Sequence, residues 1–230
     1  MKKIDILIIA NLALILLVLW AAQSTNIDVF LQNYFFDFTA KTWLIDAHEP
    51  VKKFIFYKFP KILFGVAILA LLLALLIGLY KKNNYCEKNF SKIMLIFLGL
   101  ALIPLIAGNI KKFTNIYCPS QLEIYSGQHE YVKIFDKYQK PQEKKGECYP
   151  AGHAITGFAL FILFFAAEKK RNKIIGLFAA IILGWALGLY QMLKGAHFLS
   201  DTLVAMLLCF LLAAIIAKIN CQLNLTQQNI

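Results

Sequence analysis

Residues 62–80 read ILFGVAILALLLALLIGLY, an apolar run with no polar interruption before Tyr80. At 1.5 Å per residue such a helix covers roughly 29 Å, about the hydrocarbon thickness of a bilayer. A helix at the surface of a water-soluble domain keeps a polar face. This run has none, so its solvent is lipid. Pro60, just ahead of it, stands where a proline suits a helix start. Five further stretches have the same character: 6–22, interrupted by Asn11; 93–110, which carries Pro104; 151–167, with His153 and Thr156; 174–193, with Gly176, Gly184 and Gly188; and 202–217. Small residues at such spacing let helices approach closely. The expected fold is all-α, a six-transmembrane-helix bundle forming a single membrane domain over residues 1–230, with outer loops at 23–61 and 111–150 and the catalytic loop on the outer face.

Composition agrees. Of 230 residues, 60% are hydrophobic and 16% charged, with a mean hydropathy of +0.63. Soluble domains run at about 45–50% apolar and about 25% charged. Disorder, a collagen-like repeat and a disulfide-stapled miniprotein are excluded. The net charge of +11 comes from 24 basic residues, of which only Arg171 is arginine. Arginine is the preferred residue for bidentate phosphate recognition, so a nucleic-acid partner is not expected. The lysine excess is what cytoplasmic membrane loops carry.

Lysine also orients the bundle. Lys2 and Lys3, then Lys81, Lys82, Lys88 and Lys92, then Lys169, Lys170, Arg171 and Lys173 fall in alternate connections. The positive-inside rule places them, with both termini, in the cytoplasm. The segment 113–150 balances five lysines against five acids and crosses without penalty. The first run exceeds the h-region of a signal peptide, and Trp20 stands where a small residue would precede cleavage after Ala22, so it reads as an uncleaved anchor. Residues 23–61 mix aromatic side chains with charges, which suits short amphipathic helices at the interface or a packed lid. Lys52, Lys53, Lys58 and Lys61 close that segment, either as a solvated loop or as a hold for a second phosphate.

This topology brings three polar segments to the outer side. Lys111 and Lys112 end the third run; Tyr149-Pro150-Ala151-Gly152-His153 opens the fourth; Lys194-Gly195-Ala196-His197-Phe198-Leu199-Ser200-Asp201 opens the sixth. Ionisable residues at membrane depth are expensive and mark function. His197 and Asp201 are four apart, so on one helical face the carboxylate reaches the ring and fixes its tautomer. His153 stands near a helix N-terminus, where unpaired N–H groups favour anions. An anion cradle, an oriented histidine and a second histidine together describe phosphoryl transfer through a phosphohistidine. A zinc site built from His153, His197 and Asp201 is the rival use. Lys111 and Lys194 would repel a dication, and no HExxH or aspartate-rich motif occurs. No metal and no cofactor are expected.

The three segments resemble the type 2 phosphatidic acid phosphatase superfamily. Its signature runs lysine, six residues, Arg-Pro; then Pro-Ser-Gly-His; then Ser-Arg, five residues, His, three residues, Asp. Here the spacing is kept as Lys111…Cys118-Pro119, Pro150-Ala151-Gly152-His153, and Tyr190-Gln191…His197…Asp201. The resemblance implies His197 as nucleophile, Asp201 as its orienter and His153 as the acid that protonates the leaving oxygen, with Lys111 and the Gly152 backbone as phosphate ligands. Cys118 and Gln191 stand where the signature arginines would be, and Ala151 replaces the serine. In a similar bacterial subgroup a basic residue occupies the position of Lys194, which therefore supplies charge that the arginines do not. A degenerate, non-catalytic bundle is the alternative that these departures raise, and a lipid phosphotransferase is another.

Cys118 and Cys148 share the outer loop, Cys86 and Cys221 face the cytoplasm, and Cys209 lies in a span. Two cysteines on an oxidising side predict a disulfide, worth about 3 kcal/mol by chain entropy. The expected protein is a metal-independent phosphatase of the bacterial inner membrane with its site facing the periplasm. By resemblance the substrate is an anionic lipid: lipid A at its 1-phosphate, a polyprenyl diphosphate such as undecaprenyl diphosphate, or a phospholipid such as phosphatidylglycerol phosphate or phosphatidate.

Overall fold

A computed structural model describes residues 3–81, 89–139, 142 and 144–228. Lys2, Lys82, Cys86, Lys88, Lys140 and Glu143 lie outside the described residues. The apolar runs form α1 (Lys3–Ser24), α3 (Pro50–Tyr80), α4 (Phe90–Thr114), α5 (Gly152–Ala166), α6 (Lys170–Leu193) and α7 (Leu199–Gln228); the short α2 (Ile27–Gln32) follows α1. Between α2 and α3 a hairpin pairs β1 (Phe36–Asp37) antiparallel with β2 (Thr42–Trp43), Phe36 opposite Trp43.

Among the described residues five helices are long and apolar enough to cross a bilayer: α1, α3, α4, α6 and α7. The bundle is all-α, as expected, but its sixth apolar helix departs from the expected span 151–167. It is shorter, and a 3₁₀ turn at Ala159–Phe161 interrupts it. Its position explains why a short helix suffices. Ala154, Ile155, Phe158, Ala159 and Ile162 are buried among α4, α6 and α7, so protein rather than lipid satisfies its surroundings. The glycines act as the spacing implied: a Cβ on Gly157 of α5 would overlap the backbone of Gly184 on α6. By contrast, α1 and α3 bury few residues completely, α1 lying on α7 and α3 on α4.

The start of α3 differs from expectation. The helix begins at Pro50, which occupies the first turn, and Pro60 lies inside it. An interior proline removes an N–H and crowds the carbonyl one turn back. Here a π-turn at Phe54–Lys58 immediately precedes it and widens the ladder at that point. The outer loop expected at 23–61 therefore shrinks. Its last twelve residues are helical, which fixes the direction of every side chain in Phe54–Lys61.

The lysine-rich ends lie together. Lys218 near the end of α7 pairs with Asp5 of α1 at 2.8 Å, and Lys92 of α4 pairs with Glu168 ahead of α6 at 3.8 Å. The opposite end carries the hairpin, α2 and the segment 115–150, and there the polar motifs converge.

Candidate active site

The start of α7 is built by its own acid. Asp201, in the first turn, accepts the Phe198 N–H on Oδ2 at 3.0 Å, reaching back to the helix's first unsatisfied donors. The same oxygen lies 3.2 Å from Nδ1 of His197. His197 itself precedes the helix, so the pair meets across the cap rather than along one helical face as expected. Both side chains are buried, Asp201 at 1% exposure and His197 at 6%. Nδ1 is thereby committed, and Nε2 is the nitrogen left for chemistry.

α5 begins beside this turn. The Ala151 N–H donates to the Asp201 carbonyl at 3.1 Å, which fixes the two helix starts together. Gly152 and His153 are the first two residues of α5, whose leading N–H groups have no partner within the helix. Lys111, at the end of α4, reaches this cradle: a Cβ placed on Gly152 would sit 3.4 Å from its Nζ. The glycine leaves that space to the ammonium. Lys112 is exposed, about 100° round the helix from Lys111. Lys111, Lys194, Lys61 and His197 all lie close enough to His153 for their charges to act on it.

Lys194 caps the end of α6. The Gly195 N–H donates to Met192 and the Ala196 N–H to Gln191, the double closure of a left-handed helix stop with Gly195 at φ +74°. A side chain on Gly195 would collide with the indole of Trp43, so the β hairpin rests on this stop. Burial holds the Lys194 ammonium below the usual lysine range, and the charges of Lys53 and Lys61 lower it further. Its Nζ lies 5.1 Å from the Tyr190 ring and 5.5 Å from the Tyr57 ring.

Tyr57 forms a wall that sequence reading does not supply. Its ring lies 4.3 Å from that of His153, and Lys61 Nζ stands 4.1 Å above it. Phe56, one residue earlier, stacks on Tyr190 at 5.0 Å. Of the four lysines ending the first loop, Lys61 and Lys53 act on the site, while Lys52 pairs with Glu49 at 2.6 Å and Lys58 is exposed. The signal for this wall is the sequence Phe54-Ile55-Phe56-Tyr57, legible once the helix is extended upstream of Pro60. Below Tyr57 a cavity of about 470 Å³ opens between α3, α5 and α6, lined by Phe56, Pro60, Phe64, Thr156, Leu160 and Leu187 among others, nearly all apolar.

The expected disulfide is present. Cys118 and Cys148 are bonded with Cα atoms 5.2 Å apart. Of the other cysteines described, Cys209 is buried and Cys221 exposed. The bridge uses the position of the first signature arginine. The second, Gln191, is buried at 1% exposure with no hydrogen-bond partner for its Nε2 among the described residues, so it contributes a dipole and no charge. His153 Nε2 and the hydroxyls of Tyr149 and Tyr190 are likewise buried without a partner. Orphaned buried polar atoms are rare, and here one is a nitrogen of His153 while three belong to the segments that flank the histidines. Sequence reading misses Asp28 entirely; it is buried against Ser200 beside this site.

The PAP2 superfamily profile matches residues 92–223, more than half of the chain and the whole of α5 and α6. A lipid A 4′-phosphatase of Francisella tularensis subsp. novicida (strain U112) is 26% identical over 183 residues, covering 76% of this chain and 78% of that protein. No solved structure matches the chain significantly. With its membrane helices and all three motif segments in register, the chain belongs to the PAP2 superfamily, the type 2 phosphatidic acid phosphatases that its motifs resemble.

Proposed function

We propose that the protein is a metal-independent phosphatase that removes phosphate from an anionic membrane lipid through a phosphohistidine on His197. The observation that carries this reading is the buried His197–Asp201 contact at 3.2 Å, set beside a helix N-terminus and Lys111. Nε2 of His197 attacks phosphorus and the P–O bond to the lipid breaks. His153 gives its proton to the leaving oxygen. Water then attacks the phosphohistidine with His153 as base, releasing phosphate and restoring both rings. The Gly152 and His153 N–H groups, Lys111 and Lys194 hold the phosphoryl oxygens where charge develops.

The apolar cavity beneath Tyr57 suits the hydrocarbon of the same lipid. The relative named for lipid A 4′-phosphate favours lipid A over a polyprenyl diphosphate or a phospholipid, at the 4′- rather than the 1-phosphate. Such a substrate carries two phosphates, and Lys61 and Lys53 stand where the second would meet positive charge. The lysine-rich helix ends favour an inner-membrane orientation with both termini cytoplasmic and the site periplasmic.

Purified protein assayed in EDTA against lipid A, undecaprenyl diphosphate and phosphatidate tests the reading. Phosphate release from at least one lipid is expected, and His197→Ala should lower it by about three orders of magnitude or more while inserting normally. Undiminished turnover in His197→Ala, or a requirement for added zinc, would sink it.

A further inference from the structure

Asp28 belongs to none of the motifs and lies outside the family-matched residues, yet it reaches the start of α7. One carboxylate oxygen accepts the Ser200 N–H at 2.9 Å and the other the Ser200 hydroxyl at 2.5 Å. Ser200 sits between His197 and Asp201, so the turn is gripped twice: from within by Asp201, and from α2 by Asp28. The grip is itself anchored. Gln32 of α2 donates to the Met192 carbonyl at 2.8 Å, and the Tyr125 hydroxyl donates to Asn33 at 3.0 Å.

Holding Asp28 there is unfavourable for the fold. Burial, with the charge of Asp201 adding to it, raises the carboxyl from 3.8 to about 6, against the opposing bonds from Ser200. The groups that face it are Ser200 and Asp201 on α7, with His197 beyond Asp201. From the segment after α4 they are Tyr125, Tyr131, Tyr149 and Lys133. The Lys133 ammonium donates to the Gln23 carbonyl at 3.0 Å, and among the described residues no lysine pairs with Asp28. A buried, unpaired carboxylate touching the nucleophile's own turn is the kind of group kept for activity rather than stability.

We propose that Asp28 is a positioning residue of the reaction: by accepting both donors of Ser200 it fixes the turn that carries His197 and Asp201. The proposal rests on His197 as nucleophile. Its consequence is a link between α2, outside the family-matched region, and the rate of the chemical step.

Asp28→Asn separates this role from a structural one. The amide can still accept the Ser200 N–H, but its NH2 only donates, so the short bond from the Ser200 hydroxyl must reverse and lengthen. With a turn displaced by a fraction of an ångström, kcat should fall about tenfold or more with KM within about threefold. The thermal midpoint should not fall. The raised carboxyl stabilises the fold below about pH 4, and that contribution is lost as pH rises through about 6. The midpoint of Asp28→Asn relative to wild type should therefore climb between pH 4 and pH 7. Ser200→Ala should lose kcat similarly, and the double variant should lose little more. Wild-type kcat in Asp28→Asn, or a loss of kcat matched by a lower midpoint at every pH, would overturn the proposal. Orthovanadate gives a readout independent of turnover: it should raise the wild-type midpoint and raise that of Asp28→Asn less. If wild type binds vanadate but hydrolyses none of the lipids, the phosphatase reading fails, and equal vanadate shifts in the two proteins overturn Asp28 separately. No vanadate shift in wild type overturns both.

Discussion

The half of the chain from α4 to α7 and the strap that precedes it, residues 25–61, meet at the same end of the bundle through contacts of opposite kinds. In the motif half the contacts that set His197 are local, although the Ala151 N–H on the Asp201 carbonyl and Lys111 beside Gly152 join remote segments. Asp201 holds His197 and Phe198, four and three residues away, and the Ala196 and Gly195 N–H groups close α6 within one turn. In the strap they are remote: Asp28 to Ser200 spans 172 residues and Gln32 to Met192 spans 160. The first kind is fixed by spacing and builds the reacting groups. The second exists only after the chain has packed. It places Tyr57 over His153, Trp43 on Gly195 and Asp28 against the turn that follows His197. The proposed division is that local contacts carry the reaction and remote ones aim it and shape the lipid's seat.

The largest effects should fall in the motif half. Lys111→Ala and Lys194→Ala should each cost about 2–4 kcal/mol of transition-state stabilisation, the scale of one preorganised donor. That loss appears in kcat/KM for lipid phosphate hydrolysis. Lys112→Ala is the control, because its side chain is exposed and about 100° round the helix from Lys111. Equal losses at Lys112 and Lys111 would mean that net charge at this end, rather than a placed ammonium, supports the reaction. No loss at Lys194 would leave the missing arginines without a substitute.

The boundary between the two regions is also the boundary of what the sequence reveals. The six apolar runs, the partnership of His197 with Asp201 and the Cys118–Cys148 pairing are legible because each follows from length, spacing or compartment, whereas Lys111 beside Gly152 is legible only through the family resemblance. The start of α3 is not, since Pro60 reads as a helix start until a π-turn is allowed to accommodate it. Asp28 gives no local signal at all. A single acid near an amphipathic stretch is ordinary, and only tertiary packing brings it to Ser200. The helix α5 is legible as apolar but not as short, because burial against three neighbours is invisible in a one-dimensional run.

A smaller effect should come from the brace inside the motif half. The disulfide ties the segment after α4 to the residues before α5. Around it Cys148 N–H donates to the Ile116 carbonyl at 2.9 Å, and the Thr114 hydroxyl to the Tyr149 carbonyl at 2.5 Å. These contacts hold Lys111 near Gly152 and His153. Replacing both cysteines by serine should lower stability by about 3 kcal/mol through the freed loop. Activity measured well below the midpoint should fall about tenfold or less, since the hydrogen bonds beside the bridge remain. Intact activity with reduced stability would make the bridge a clamp on folding alone. A loss as deep as that of Lys111→Ala would make it part of the phosphate cradle.

The smallest changes should come from the wall that the strap contributes, and their form matters more than their size. Tyr57 presents its ring to His153 and to the Lys61 and Lys194 ammonium groups. A cation over an aromatic face is worth about 0.5–2 kcal/mol depending on exposure, which is roughly a twofold to thirtyfold effect. Tyr57→Phe keeps the ring and should behave as wild type. Tyr57→Leu removes the face and should raise KM several-fold with kcat little changed, because the wall meets the substrate without joining the proton transfers. Lys61→Ala should raise KM more for a lipid bearing two phosphates than for one bearing a single phosphate, since the exposed ammonium stands at the edge of the cradle rather than within it. Steady-state kinetics on the two lipid classes reads both effects. If Lys61→Ala lowers kcat equally for both classes, Lys61 belongs with Lys111 in the transition state. The strap would then share in the chemistry directly, and the division between the two regions would fall.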